Sequence, residues 1–65
     1  MSETKLVWLK MSGYSNHKFR YWPDGTIVDL KKGYKIGSAR SLSDAIEVMK
    51  ANVSGHVERV DVEDE

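Results

Sequence analysis

The chain has 65 residues, 7.4 kDa, with ten Lys and Arg against ten Asp and Glu, no Cys and one Pro. One domain of this size buries only about 60% of the surface its unfolded chain exposes, too little apolar area for an enclosed substrate pocket, and zero net charge counts against a dedicated nucleic-acid binder. No Cys means no disulfide framework and no thiolate metal site, and the longest apolar run, Leu6-Val7-Trp8-Leu9, falls far short of the ~20 residues of a membrane span or the ~7–15 of a signal-peptide core. The expectation is a single soluble domain over 1–65, cytoplasmic, untargeted and without enzymatic activity.

Residues 6–11 are rich in strand formers, with Val7, Leu9 and Met11 on one face and Leu6, Trp8 and Lys10 on the other. Ser12-Gly13-Tyr14-Ser15-Asn16 clusters turn-forming types and predicts a loop. Residues 17–22 predict a second strand, alternating Phe19 and Tyr21 against Lys18, Arg20 and Trp22. Pro23-Asp24-Gly25 supplies a fixed φ, a side chain that bonds its own backbone and a residue free to take positive φ. That tight turn returns the chain into a third strand at 26–30, with Ile27 and Asp29 opposite in parity to Thr26, Val28 and Leu30.

Lys31-Lys32-Gly33 breaks the pattern, and residues 34–36 predict a short further strand. Ser41 is the expected N-cap of one helix, because Leu42, Ala45, Ile46, Met49 and Val53 form an apolar stripe at helical spacing. Asp44 is placed to return the capping bond, and Gly55 suits a left-handed C-terminal cap. Residues 56–62 predict a last strand whose apolar residues change parity between Val57 and Val60, the mark of a bulge, an edge position or burial on both faces. The run 63–65 is expected to be a frayed acidic tail. The elements add up to an α+β domain: a small, mostly antiparallel sheet of three to five strands with one amphipathic helix packed on one face.

The neutral total conceals an asymmetry. Residues 1–40 carry eight Lys and Arg against three acids, and residues 41–65 carry two against seven. Each region can steer a partner of opposite sign, or the two can neutralise each other in the fold. On the alternating second strand, Lys18, Arg20 and Trp22 make a basic face with an aromatic suited to stacking on a base or filling a partner's pocket. Phe19 and Tyr21 read as core. Lys31, Lys32, Lys35 and Arg40 precede a helix N-terminus, where free N–H groups favour an anion such as one nucleic-acid phosphate; a solvated basic loop is the simpler reading. A nucleotide-cradling Gly-Lys-Ser/Thr is absent, and no nucleophile elbow accompanies the Ser and His residues, so no cofactor and no catalytic residue is expected. His56 and Glu58, with Asp61 or His17, are too few and too loosely spaced for a structural metal site.

The segment around Pro23-Asp24-Gly25, followed by strand and helix, resembles the arm-type DNA-binding domain of lambda-like integrases. That resemblance implies a sheet docked on DNA, with Arg20, Trp22 and Thr26 nearby. The segment Ala39-Arg40-Ser41-Leu42-Ser43-Asp44-Ala45-Ile46 through Ser54-Gly55-His56-Val57-Glu58-Arg59-Val60 resembles part of the small RNA polymerase inhibitors of short-tailed coliphages. This one implies a non-enzymatic protein that binds a host polymerase through a strand corresponding to Glu58, Arg59 and Asp61.

The leading expectation is a small regulator or inhibitor of phage or mobile-element type that binds a larger protein through Trp22, Glu58, Arg59, Asp61 and Glu63. The alternative is a nucleic-acid-binding module that uses Lys18, Arg20, Trp22, Lys31, Lys32, Lys35 and Arg40. A further alternative is an accessory homodimer whose edge strands pair between chains.

Overall fold

A computed structural model describes residues 4–13 and 16–65; Tyr14 and Ser15 of the expected loop lie outside the described residues. The elements run β1 (Lys5–Met11), β2 (His17–Tyr21), β3 (Thr26–Asp29), β4 (Tyr34–Ser38), α1 (Leu42–Ala51) and β5 (Val57–Asp64). All strand pairs are antiparallel, and the five strands lie in the order β4-β3-β2-β1-β5. The first four form a meander. The chain then travels through α1 from one edge of the sheet to the other, where β5 pairs with β1. The fold is a small α+β domain, and no helix among the described residues is long and apolar enough to cross a membrane.

Local chemistry accounts for the turns. At the β2–β3 hairpin the Gly25 N–H donates to the Trp22 carbonyl at 2.9 Å, and the Trp22 N–H donates to the Thr26 carbonyl at 2.9 Å. The Asp24 carboxylate accepts from the Thr26 N–H at 2.9 Å, and this bond holds its carboxyl below the ordinary value. Gly25 has φ +99°, and a Cβ there would sit 2.5 Å from the Ala39 carbonyl oxygen, so the position excludes a side chain on two counts. The close approach is used, since the Ala39 N–H donates to the Gly25 carbonyl at 2.9 Å. At the β3–β4 turn, buried Asp29 accepts from the N–H groups of Lys31 and Lys32 at 2.9 and 3.1 Å, as an Asx turn does.

Period-2 alternation sorts the sheet into two faces. Val7, Leu9, Met11, Phe19, Tyr21 and Ile27 are buried in one hydrophobic cluster, which Ala45 and Met49 of α1 join. Ile36, Leu42, Ile46, Val53, Val57 and Val60 pack partly against it. At about 1.5–3 kcal/mol for each fully buried large side chain, this cluster is the main stabilising term of the domain. Ser41 caps the helix with its hydroxyl accepting from the Asp44 N–H at 3.2 Å. The opposite sheet face carries the other parity.

Four details depart from the sequence reading. Trp22 falls just beyond β2, inside the turn, and β4 extends two residues further than expected, to Ser38. The helix stops at Ala51 with Asn52 as its C-cap at φ −95°; Gly55 does have positive φ, but it lies in the loop beyond and caps nothing. The Asn52 side chain instead donates to the Val48 carbonyl, which satisfies a last-turn acceptor within the helix itself. The 63–65 segment is not a frayed end: Glu63 and Asp64 belong to β5, and the Glu65 N–H donates to the Thr4 carbonyl at 3.1 Å. Ladder pairing with β1 overrides the unfavourable composition of that run. The parity change between Val57 and Val60 corresponds to a register shift opposite Lys10 and Met11, so β5 is both an edge strand and a bulged one.

Candidate binding face of the sheet

The face opposite the core cluster is assembled row by row from the strand register. One row runs Lys18, Trp8, Asp61 across β2, β1 and β5. The next runs Lys35, Val28, Arg20, Leu6, Glu63 across all five strands. A third places Lys10 opposite Arg59. Cations therefore line the β4-to-β1 side, and β5 carries the carboxylates of Asp61 and Glu63 beside Arg59.

The two tryptophans are held by cations on this face. Lys18 Nζ lies 4.8 Å from the centroid of the Trp8 ring, and the Arg20 guanidinium carbon lies 5.6 Å from that of Trp22. Both tryptophans are half-buried. Arg20 also forms a bidentate pair with Glu65, Nε to Oε1 at 2.7 Å and Nη2 to Oε2 at 3.0 Å. With about a third of each side chain exposed (34% and 30%), that pair contributes at most about 1 kcal/mol, and its weight here is in orienting the guanidinium. Arg59 pairs with Asp61 at 3.0 Å, and Lys5 pairs with Asp64. Leu6, flanked in its row by Arg20 and Glu63, is only 9% exposed, so the face has an apolar centre inside a charged surround.

Of the residues singled out from the sequence, Trp22, Arg20 and Lys18 come together here, with Arg59, Asp61 and Glu63 beside them. Glu58 occupies the bulge, skipped between the pairs Met11–Val57 and Lys10–Arg59, and is exposed. The other basic residues do not assemble into one cradle. Lys35 sits at the far end of its row, and Arg40 is exposed just before the N-cap. Lys31 and Lys32 line a cleft of about 470 Å³ with His17 and the loop Asn52–Gly55, at the C-terminal end of α1 instead of its N-terminus. Cations on that side suit the negative end of the helix dipole better than an anion site at its positive end. His56, Glu58 and Asp61 form no metal site: among the described residues no three His, Cys, Asp or Glu side chains are grouped to hold an ion.

Glu65 is the participant that sequence reasoning missed, because a terminal acidic run carries no signal of pairing. The neighbourhood of His17 and Lys31 was countable. The Phe19–Asp29 and Tyr21–Ile27 pairs extend to 17 and 31 once the hairpin centre is known.

No family model, no curated protein and no solved structure matches this chain.

Proposed function

We propose that this is a non-enzymatic binding protein that acts on a larger protein partner through the open face of its sheet, as a regulator or adaptor in a reducing, cytoplasmic setting. The observation that carries the reading is the juxtaposition of Trp8, Trp22 and Arg20 around buried Leu6, with cations on one side and the acids Asp61 and Glu63 on the other. Trp and Arg dominate the energetics of protein interfaces, and a surround of both signs selects a partner carrying the reciprocal pattern. That partner presents an apolar pocket for Trp22, acids toward Lys18 and basic groups toward Asp61 and Glu63.

The same geometry weighs against nucleic acid. β5 lies two strand spacings, about 10 Å, from the basic strand β2. That is about one Debye length at 0.1 M salt, so phosphates drawn to Lys18 and Arg20 feel the carboxylates of β5.

The test is affinity capture from host lysate with the wild-type chain and Trp22→Ala, at low and moderate salt. The expected result is a stoichiometric protein that survives moderate salt and is lost by tenfold or more in Trp22→Ala, about 1.4 kcal/mol or more. Thermal unfolding of the variant should stay near wild type, because Trp22 holds the hairpin through its backbone N–H. Capture of nucleic acid that disappears as salt rises would replace this reading with the basic-face alternative.

A further inference from the structure

Edge strands expose unpaired N–H and C=O groups, and natural sheets blunt them with bulges, shortness or charge. The two edges of this sheet are treated differently. β4 has five residues, contains Gly37, and is interrupted by a register shift that leaves Ile36 unpaired opposite Ile27 and Val28. β5 has eight residues and follows β1 without interruption from Arg59 to Asp64. On its core side Val62 is 42% exposed, and Val60 is only partly covered. Among the described residues no strand lies on the outer side of β5.

We infer that β5 pairs with β5 of a second copy of this chain, antiparallel about a two-fold axis through Val60, to form one continuous sheet. The register follows from charge. A two-fold axis normal to the sheet keeps like faces together, so it passes through a residue that opposes its own copy. An axis at Arg59 sets guanidinium against guanidinium, and one at Asp61 sets carboxylate against carboxylate. With the axis at Val62, Asp61 faces Glu63. Only the axis at Val60 avoids like-charge rows over this stretch. It places Arg59 of each copy opposite Asp61 of the other and Val60 against Val60 on the core side, beside the exposed Val62. Opposite charges directly across a sheet stabilise and like charges destabilise, so the strand specifies one register and excludes its neighbours. Arg59 and Asp61, 3.0 Å apart within one copy, need only exchange partners across the seam.

Sedimentation equilibrium of the purified chain tests this. The wild type should reach twice the 7.4 kDa chain mass as concentration rises. Arg59→Asp and Asp61→Arg should each weaken dimerisation by about tenfold, because two reciprocal pairs become repulsive, and the double swap should recover wild-type affinity to within about threefold. Both side chains are at least half exposed (63% and 50%), so the variants fold as the wild type does. Amide exchange read on the wild type should show protection of the outward amides of β5 that grows with concentration. A monomer at every concentration, single swaps without effect, a double swap that fails to recover, or exchange in β5 independent of concentration would each overturn the inference.

Discussion

Gly25 shows how much a single residue can carry in a domain this small. Its φ of +99° costs a residue with a side chain about 1–2 kcal/mol, and the Ala39 carbonyl oxygen 2.5 Å from the Cβ position adds a clash with backbone that cannot swing aside. Gly25→Ala should therefore lower stability by about 2 kcal/mol or more in chemical denaturation, whereas Gly13→Ala, with open space around it, should pay for its φ of +74° alone. The conformational need at Gly25 is legible in Pro23-Asp24-Gly25. The clash is not, because Ala39 is fourteen positions away in the chain and reaches Gly25 only through β3–β4 pairing. Glu65 makes the same point from the other side: its bond to Arg20 spans 45 positions, and only the placement of β5 beside β1 creates it.

At the scale of elements, periodicity was the strongest guide. The parity of β1, β2 and β3 places Val7, Leu9, Phe19, Tyr21 and Ile27 inward, and all are buried. In α1, Ala45 and Met49 are the buried centre of the expected stripe, while Leu42 and Ile46 pack at its margin. The cap at Ser41 is equally legible, and Ser41→Ala should cost about 1 kcal/mol, read as a lower midpoint in urea with an unchanged slope. The helix C-terminus differs from the Gly55 cap that the sequence predicts, because glycine takes a left-handed conformation wherever a loop needs one. Here Asn52 supplies the cap first, and Val53, expected as the last residue of the stripe, packs against the core from the loop. Strand β5 ran two residues past its expected end because ladder hydrogen bonds to β1 fix residues of poor strand propensity.

At the scale of the whole molecule, one hydrophobic cluster serves every element, and α1 contributes only two fully buried side chains to it, Ala45 and Met49. Met49→Ala should therefore remove about 2–5 kcal/mol from a total near 5–15 kcal/mol, enough to leave much of the protein unfolded in a thermal melt. The sequence by itself determined the α+β class, the order of elements, the hairpin at Pro23-Asp24-Gly25 and the inward residues, because each follows from local propensity and a period of two or 3.6. It also isolated Lys18, Arg20 and Trp22 on one face. Tertiary structure alone decided that β5 lies beside β1, since nothing in a strand's own residues states its neighbour when the connection passes through a helix. That single placement sets Asp61 and Glu63 against Trp8 and Leu6, binds Arg20 to Glu65, and leaves β5 as an open edge. The charge asymmetry along the chain thereby becomes an asymmetry across one face, a property of long-range pairing that no local pattern encodes.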